Sequence, residues 1–410
     1  MPDFLTLDDL SVRGKTVLVR ADLNAPVRRE QVTDLSRLER LLPTLKELQA
    51  KGAKIVLLSH FGRPTPGTPD PQYSLRPVAK ALSDLLDQPV AFAEDCIGPK
   101  AESAVKALTP GQILVLENTR FHAGEEANDP AFAEALASLG DVYVNDAFSV
   151  AHRANASTEG IVKLLPAAAG RAMQEELSTL AKVLEKPERP LAALVGGSKI
   201  STKLALLQHL IAKVDVLILG GGMANTFLAA RGVKIGKSIC EPDMFDAARM
   251  IAENAEQRGC HIMLPKDVVT APELKEGVAV KTVPVDAVPA DEMILDLGPA
   301  SVQEIKDSLA MCKTIVWNGP LGAFETPPFD HATTEIAIFV ADLTKRGKVL
   351  SVAGGGDTMA ALSQAGVAHG VSYLSAAGGA FLEWLEGREL PGVAALKKAV
   401  PKGRVGKVII

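Results

Sequence analysis

The stretch Ser351–Leu362, SVAGGGDTMAAL, joins a short apolar run to a helical pattern through three glycines and an aspartate. A buried strand followed at once by a glycine-rich turn and a helix is the repeating unit of a parallel α/β sheet. Glycine lets another group approach the backbone closely, and the free N–H groups at the start of a helix attract anions. The stretch therefore predicts an α/β fold and, at the same place, a phosphate site.

The same pattern recurs on both sides of this stretch. In the first part of the chain the apolar runs are TVLVRADLN, KIVLLSHFGRP, ILVLENTRFH and DVYVNDAFSVAHR, and in the second part they include LAALVGGSKIST, VDVLILGGGMANTF, HIMLPKDVVTA, TIVWNGPLGAFE and VSYLSAAGGA. The runs are continuous rather than alternating, so each strand is expected to be buried on both faces. Amphipathic segments such as SRLERLLPTLKELQAKG lie between many of them. We predict an α/β fold with two doubly wound, parallel-sheet (Rossmann-like) domains.

The boundary between the two domains is indicated by a change in the residues that follow the strands. Before about residue 160 these are Asp, Asn, His and Arg, and after about residue 190 they are mostly Gly. The middle of the segment between, Leu164–Pro190, predicts one long helix, with Pro166 before it and Pro187 and Pro190 after it. A chain of 410 residues also exceeds the usual size of one domain. We therefore expect a long helix and a hinge to join the two domains.

Composition excludes several classes of protein. The net charge of −5 argues against a nucleic-acid binder, so any anion site has to be a local cluster. The four cysteines show no paired spacing, which indicates free thiols in a reducing compartment. No signal sequence is evident at the N-terminus, and no apolar run approaches the length of a membrane span. We expect a soluble cytoplasmic protein that binds neither nucleic acid nor membranes.

Polar and charged side chains follow the predicted strands of the first domain. Ligands of open α/β sheets bind beyond the carboxyl ends of the strands, so these residues are candidates for a binding site. The planar fork of arginine suits phosphate and carboxylate, and four arginines at matching positions indicate an anionic ligand. Any one of them alone would be explained better by a surface salt bridge. The candidates are Asp22, Asn24, Arg37, His60, Arg63, Arg120, His122, Asn145, Asp146, His152 and Arg153.

Glycine-rich turns follow the strands of the second domain and suit a nucleotide. They are GGSK at 196–199, GGG at 220–222, NGP at 318–320 and GGGDT at 354–358. One such turn alone is explained by tight strand-to-helix connections, but together with nearby lysines and Asp357 they favour a nucleotide site. Asp357 is a candidate ligand for Mg²⁺ held between phosphates. The run GVKIGKS at 232–238 is one residue short of a Walker A motif, and GGGMAN lacks the last glycine of a dinucleotide fingerprint.

These motifs resemble the phosphoglycerate kinase family along almost the whole chain. RADLNAPV, SHFGRP, LENTRFHAGEEAND, YVNDAFSVAHRANAS, GGSKISTKL, GGGMANTF, WNGPLGAFE, AGGGDT and AAGGAFLEWLEGRELPGVAAL occur in the family's order. The resemblance implies a two-domain, usually monomeric, glycolytic enzyme. Such an enzyme transfers a phosphoryl group between 1,3-bisphosphoglycerate and MgADP, giving 3-phosphoglycerate and MgATP, with Mg²⁺ as the cofactor.

The resemblance also implies a role for individual residues. The substrate phosphoglycerate is expected on Asp22, Leu23, Asn24, Arg37, His60, Phe61, Gly62, Arg63, Arg120 and Arg153. The nucleotide is expected on Gly196, Gly197, Lys203, Gly220, Gly221, Pro320, Glu325, Gly355, Gly356, Asp357 and Thr358, with Asp357 on Mg²⁺. The implied layout is a phosphoglycerate-binding domain at 1–165, a connecting helix and hinge at 166–189, a nucleotide-binding domain at 190–389, and a segment at 390–410 that returns to the first domain.

The chain departs from the family's pattern at a few positions. Ser149, Val150 and Asn155 stand where the family commonly has other residues, and Ala21 and Phe61 replace the commoner Val and Leu. None of these changes removes a charged candidate. They bear on local packing rather than on the predicted activity.

The implied chemistry explains why we assign no nucleophilic side chain and no general base. The nucleophile in the ATP-consuming direction is a carboxylate that is already ionised at pH 7, so no general base is required. Phosphoryl transfer depends on positioning and on neutralising the charge of the moving group. We assign this task to Arg37 and Lys199, with the amides of Gly355 and Gly356 acting from the nucleotide side. For His60 and His152 we expect positioning or structural roles rather than acid–base catalysis.

Two other functions remain open on the residues alone. One is an ATP-dependent kinase or ligase for another carboxylate, which would not need the full arginine set. The other is a two-domain sensor that closes on an anion without chemistry, which the lysines and Asp357 argue against. Because the substrates are expected on different domains and reacting atoms must come within about 3 Å, we also expect the domains to close.

Overall fold

The computed structural model describes residues 3–399, which form two compact units. The first unit contains residues 3–178 and 389–399, and the second contains Thr179–Arg388. Helix α6 (Arg171–Leu184) crosses the division between the units. Among the described residues, no helix is long and apolar enough to cross a membrane.

The first unit is built on a six-stranded parallel sheet. Its central strands are almost wholly buried, because helices cover both faces of the sheet. The spatial order is β5-β6-β4-β1-β7-β8, and β2 pairs with β3 in a separate short hairpin. The strands are β1 (Thr16–Arg20), β2 (Val27–Arg28), β3 (Gln31–Val32), β4 (Lys54–Leu58), β5 (Val90–Ala93), β6 (Ile113–Leu116), β7 (Val142–Asn145) and β8 (Ala167–Ala169).

Helices of the first unit place apolar side chains against this sheet. In α1, Leu38, Leu41, Leu45 and Leu48 recur at helical spacing, and all four belong to one buried core with the strands. The helices are α1 (Ser36–Ala50), α2 (Arg76–Leu86), α3 (Gly98–Lys106), α4 (Ala123–Glu126), α5 (Pro130–Ala137) and α14 (Pro391–Lys398). Single 3₁₀ turns lie at Leu7–Asp9, Pro71–Tyr73, Thr119–Phe121, Phe148–Val150 and Gly160–Lys163.

The second unit contains another six-stranded parallel sheet and a smaller antiparallel one. The orders are β11-β10-β9-β15-β16-β17 for the large sheet and β13-β12-β14 for the small one. The strands are β9 (Leu191–Val195), β10 (Val216–Leu219), β11 (His261–Met263), β12 (Asp267–Ala271), β13 (Lys281–Pro284), β14 (Met293–Leu297), β15 (Thr314–Asn318), β16 (Leu350–Gly354) and β17 (Tyr373–Ser375). The helices are α7 (Leu204–Leu210), α8 (Gly221–Ala230), α9 (Phe245–Gln257), α10 (Pro299–Met311), α11 (His331–Lys345), α12 (Gly356–Gln364) and α13 (Gly379–Leu385), with 3₁₀ turns at Pro242–Met244 and Val285–Ala287.

The fold class predicted from the sequence is confirmed, with two differences in detail. The run HIMLPKDVVTA contains two strands, β11 in the large sheet and β12 in the small one. The small sheet was not predicted, because its strands follow one another without the intervening helices that mark a parallel α/β repeat. Residues Ala167–Ala169, expected in the connecting helix, form β8 and pair with β7. A run of three alanines carries no strand signal of its own.

The start of α6 is held by side chains of the first unit. Arg171 pairs with Asp8 and with Glu47, each at 2.7 Å. Asp146 accepts a hydrogen bond from the Met173 amide at 3.0 Å, and burial raises the pKa of this carboxyl to about 6. Asp146 thereby satisfies a free amide of the first helical turn from the edge of the sheet.

The last described segment also belongs to the first unit. The Gly392 amide at the start of α14 donates to the Ala151 carbonyl at 2.9 Å, and Val393 and Leu396 of this helix are buried. The predicted return of the chain after residue 390 thus covers residues up to 399 in the structure. The remainder of that prediction, 400–410, lies outside the described residues.

Candidate functional site

Most of the anion-site candidates of the first unit meet at one edge of its sheet. Asp22 to Asn24 follow β1, His60 to Arg63 follow β4, and Arg120 lies in the 3₁₀ turn after β6. Arg153 follows the 3₁₀ turn that comes after β7, and Arg37 lies in the first turn of α1. Because β6, β4, β1 and β7 are adjacent and parallel, their carboxyl ends share one edge.

Asp22 holds the guanidinium of Arg37 at this edge. The Arg37 guanidinium donates to Asp22 Oδ2, which also accepts from the Ser149 hydroxyl at 2.6 Å. The Asn24 amide donates to the other carboxylate oxygen at 3.3 Å. Asp22 thus fixes the orientation of a half-buried arginine whose remaining N–H groups are available to an anion. Ser149, one of the departures from the family's pattern, takes a direct part in this arrangement.

The loop after β4 is fixed by side-chain amides. Asn24 accepts from the Gly62 amide at 2.9 Å, and Asn118 both accepts from the Phe61 amide and donates to its carbonyl, at 3.0 and 2.7 Å. Gly62 has a φ of +57°, and a Cβ there would lie 2.5 Å from the Tyr73 ring. Only glycine fits this position, which brings the loop backbone close to the edge of the sheet.

The remaining arginines differ in how firmly they are held. Arg120 is buried, donates to the Gly62 carbonyl at 2.6 Å, and pairs with Glu126 at 2.9 Å. Burial, the largest influence, lowers the pKa of Arg120 below its usual value. Arg153 is half-buried, and its Nε donates to His152 Nε2 at 3.4 Å. Arg63 is exposed and forms no ion pair with any residue in 3–399.

His60 lies where the positive charges converge. Its pKa falls well below 6.5, because the ring is buried and because Arg20, Arg120, Arg153 and Arg37 all act on it. Arg20 Nη2 lies 3.1 Å from His60 Nδ1, and arginine can only donate, so Nδ1 is the acceptor and Nε2 carries the proton. A neutral ring with a fixed N–H fits the expected positioning role, because it lacks the acidic second proton that an imidazolium would supply in acid catalysis.

Arg20 was missed by sequence reasoning. It ends β1, is fully buried, and donates to the Ser157 hydroxyl at 2.9 Å. Ser157 in turn donates to the buried carboxylate of Glu125 at 2.5 Å, so a hydroxyl links the buried cation to a buried anion. The signal was present in the sequence, because Arg20 is a charged residue at the end of an otherwise apolar strand. Of the other candidates, Asn145 and Asp146 are buried, and Asp146 caps α6 as described above.

The nucleotide-site candidates lie at the carboxyl edge of the second unit's large sheet. There, neighbouring backbones approach so closely that side chains would not fit. A Cβ on Gly196 would lie 1.7 Å from the Pro320 carbonyl oxygen, and one on Gly220 would lie 2.6 Å from Leu321 Cα. The turns after β9, β10 and β15 are therefore packed backbone against backbone, which explains the glycines at these positions.

Lys203 connects two of these turns. Its ammonium group donates to the Gly196 carbonyl and to Asn318 Oδ1, both at 2.7 Å. Burial lowers the pKa of Lys203 to about 8, and the nearby carboxylate of Asp357 acts in the opposite direction. A buried ammonium with only neutral partners can be stabilised by an incoming phosphate.

The GGGDT turn presents a helix N-terminus. Gly355 has a φ of +100°, α12 begins at Gly356, and Asp357 is exposed in its first turn. Thr358 is buried, and its hydroxyl accepts from the Gly319 amide at 2.7 Å. The free amides at this start suit phosphate oxygens.

Lys199, the other cation assigned to the transferred group, is not part of this turn. It is exposed in the segment after β9, and its charge helps to lower the pKa of Glu241, although hydrogen bonds from Ser201 contribute more.

A cavity of about 340 Å³ opens at this edge, a size that suits a small-molecule ligand. The predicted residues Gly197, Gly221, Pro320, Glu325 and Asp357 line it. Most of its apolar wall was not predicted and comes from β14 and the loop after β15, including Met293, Leu295, Leu321 and Phe324. A cavity with apolar walls beside polar groups can accept a nucleotide base and ribose.

Comparison with known proteins agrees with this arrangement. The phosphoglycerate kinase family model matches residues 7–388. A phosphoglycerate kinase of Rhodospirillum centenum is 63% identical over 393 residues, which cover 96% of this chain and 99% of that protein. One of Rhizobium leguminosarum bv. trifolii is 59% identical over 400 residues, with coverages of 97% and 100%. The solved structure of phosphoglycerate kinase from Coxiella burnetii is similar with a TM-score of 0.91 and 42% identity, over 96% of this chain and 99% of that one.

Proposed function

Since this chain belongs to the phosphoglycerate kinase family, we propose that its two sheet edges bind the two substrates of that family's reaction. The reaction is the reversible transfer of a phosphoryl group between 1,3-bisphosphoglycerate and ADP, which gives 3-phosphoglycerate and ATP in glycolysis. The enzyme is a phosphotransferase with a carboxyl group as acceptor.

The phosphoglycerate binds at the first unit's edge. The observation that carries this assignment is the convergence of Arg20, Arg37, Arg120 and Arg153 on the neutral ring of His60. An anion carrying both carboxylate and phosphate can accept hydrogen bonds from several guanidinium groups at once. The exposed Arg63 can turn towards such a ligand, whereas Arg20 is too deeply buried to reach it and acts through His60.

The nucleotide binds at the second unit's edge, with its base in the apolar cavity. Glu325 lies at the wall of the cavity and accepts from the ribose hydroxyls. Lys203 and the amides at the start of α12 contact the phosphates. Mg²⁺ fits this edge, because Asp357 supplies one exposed carboxylate beside a phosphate site, and Mg²⁺ usually binds one or two carboxylates together with phosphates and water. When bound, the ion neutralises charge on the nucleotide phosphates.

The transfer itself needs positioning and charge. The carboxylate oxygen of 3-phosphoglycerate attacks the γ-phosphorus of ATP, the new C(=O)O–P bond forms, and the bond to the β-phosphate oxygen breaks. The electron pair stays on ADP, so no proton moves. Arg37 and Lys199 stabilise the transferred group from its two sides, with the Gly355 and Gly356 amides on the nucleotide side. Closure of the domains, a monomeric state and a cytoplasmic location are part of this proposal.

A coupled assay with 3-phosphoglycerate, ATP and Mg²⁺ tests the assignment of the first edge. Arg37→Ala removes a guanidinium that Asp22 holds in place, so kcat/KM is expected to fall by roughly 100-fold or more. Arg40→Ala is the matched control, because Arg40 lies one turn further along α1 and its side chain is 41% exposed. It is expected to stay close to wild type. Equal losses in both variants would contradict the assignment of Arg37.

A further inference from the structure

A second group of chemically active side chains lies at the same edge of the first sheet, beyond the anion site. Asp95 and Cys96 follow β5, the edge strand, and His122 follows the 3₁₀ turn after β6. A carboxylate oxygen, the thiol sulfur and an imidazole nitrogen of these residues all lie within 4.8 Å of one another. Within residues 3–399 they are the one group of three such donors that lies so close together.

Two members of the group are already paired. His122 Nε2 lies 2.7 Å from Asp95 Oδ1, and the Cys96 amide donates to the same oxygen at 2.7 Å. The imidazole also stacks on Phe132, with ring centroids 5.3 Å apart, which limits its movement. The carboxylate and the imidazole are therefore held in place next to the thiol.

The thiol of Cys96 is the unexplained member. The residue is fully buried and forms no disulfide, and its own backbone amide is the group that hydrogen-bonds to its sulfur. By contrast, the buried Cys312 donates from its sulfur to the Ser308 carbonyl at 3.3 Å. Cys96 thus places a buried sulfur next to two conventional metal ligands.

The surrounding charges favour a cation. Burial and the carboxylates of Asp95, Glu125 and Glu117 raise the pKa of the Cys96 thiol well above its usual value. The same negative charges that oppose a free thiolate would stabilise a dication bound to it. A raised pKa also argues against a nucleophilic cysteine, which requires a stabilised thiolate.

We propose that Asp95, Cys96 and His122 form a binding site for a thiophilic divalent transition-metal ion of the Zn²⁺ class. Thiolate, imidazole and carboxylate are the donors that Zn²⁺ prefers, and three protein ligands leave a fourth tetrahedral position for water. With Zn–S near 2.3 Å and Zn–N near 2.0 Å, tetrahedral donors lie about 3.3–3.5 Å apart. The sulfur therefore needs to approach the other two donors by at most about 1.5 Å, while His122 Nε2 and Asp95 Oδ1 move apart from 2.7 Å by about 0.6 Å. Binding releases the thiol proton and, at Nε2, replaces the proton between Asp95 and His122.

Titration of the full-length enzyme with Co²⁺ tests the site by a signal that does not depend on activity. A cobalt–thiolate bond gives a near-ultraviolet charge-transfer band, and tetrahedral coordination gives intense visible bands. We expect both in the wild type, at one equivalent per chain, and displacement by Zn²⁺. Absence of the charge-transfer band in wild-type protein would overturn the proposal.

Single substitutions show which side chains bind the Co²⁺ ion. Cys96→Ser is expected to abolish the charge-transfer band and to weaken Zn²⁺ binding by more than roughly 100-fold. Cys240→Ser, Cys260→Ser and Cys312→Ser are the controls for the three other thiols and should keep the band unchanged. Asp95→Asn and His122→Gln alter partly exposed ligands, so they test the site even if the buried Cys96 variant folds poorly, and both should weaken Co²⁺ binding. A band that survives in Cys96→Ser, or wild-type affinity in both Asp95→Asn and His122→Gln, would overturn the proposal.

Discussion

The two sheet edges that we propose as binding sites are built from different groups, side chains at the first and backbone at the second. At the edge of the first unit, charged side chains converge and are oriented by other side chains, as Asp22 orients Arg37 and Arg20 orients His60. At the edge of the second unit, the backbone forms the site, and neighbouring turns approach so closely that Gly196 and Gly220 leave no room for a Cβ. A site formed by side chains can adjust to small shifts of the backbone. A site formed by closely packed turns has no room for an added Cβ. The four predictions below test this difference.

The largest effect is expected inside the first edge, on replacing the buried arginine. Arg20→Met leaves the buried Glu125 without its linked cation and is expected to cost about 3–5 kcal/mol of stability. Arg63→Met, which changes an exposed arginine of the same edge, should alter stability by less than about 0.5 kcal/mol. Hydrogen exchange of peptides from β1 and β4 measures both. If the two variants behaved alike, the division between supporting and contacting arginines would be wrong.

The next effect concerns the backbone-built edge. Gly196→Ala places a methyl group on the Pro320 carbonyl and is expected to destabilise the second unit by roughly 3 kcal/mol. Gly356→Ala adds a methyl group where nothing lies within 4 Å, so its free energy of unfolding should change by less than about 1 kcal/mol. Both tryptophans, Trp317 and Trp384, belong to the second unit, so urea unfolding followed by their fluorescence reports on it directly. A tolerated Gly196→Ala would contradict the close packing of the turns.

A third prediction uses pH. In the second unit, burial raises the pKa of Asp296 to about 8, and one of its oxygens accepts from the Ala332 amide at 2.9 Å. The folded state keeps a proton that the unfolded chain has already released, so stability falls as pH rises towards 8. Between pH 6.5 and 8 the loss is expected to reach about 2 kcal/mol, and Asp296→Asn should remove it. Unfolding followed by tryptophan fluorescence at several pH values measures this loss. An equal slope of unfolding free energy against pH in wild type and variant would show that Asp296 is not its cause.

Asp146, the buried carboxyl of the first unit, serves as the control for Asp296. The pKa of Asp146 is raised only to about 6, so most of its contribution to the pH dependence is complete at pH 6.5, and about 0.2 kcal/mol remains within the window. Asp146→Asn is therefore expected to leave the slope between pH 6.5 and 8 nearly unchanged.

The smallest effect is on nucleotide affinity. Because the pKa of Lys203 is about 8 in the free protein, a phosphate that binds its charged form must compete with deprotonation above that pH. Affinity for MgADP is expected to fall by up to about tenfold per pH unit above pH 8. Lys203→Met should bind more weakly and without this pH dependence. Calorimetric titrations from pH 7 to 9.5 would show it, and a flat wild-type profile would exclude Lys203 as a phosphate contact.

The sequence predicted the side-chain edge more fully than the backbone edge. Arg37, His60 and Arg120 stood out by residue type and by their place after apolar runs. The apolar wall of the cavity that we propose for the nucleotide was missed, because Met293 and Leu295 lie on a strand of the small antiparallel sheet, whose position depends on tertiary packing. Arg20 was overlooked although it adjoins a quoted motif, because burial of a charge depends on partners as distant as Ser157. Residue types therefore predict which side chains can contact a ligand. Which side chains support them, as Arg20 supports His60, depends on tertiary packing.

The place of helix α14 at the end of the described chain affects the order in which the two units can complete folding during synthesis. The second unit is one continuous segment, Thr179–Arg388, and every strand of its sheets has emerged once residue 388 has left the exit tunnel. The first unit is interrupted by that segment and still lacks residues 389–399 at that moment. Until they emerge, the backbone of Ala151 and the surface that Val393 and Leu396 cover stay open on the nascent chain. The unit that begins synthesis first is therefore the one that finishes folding last.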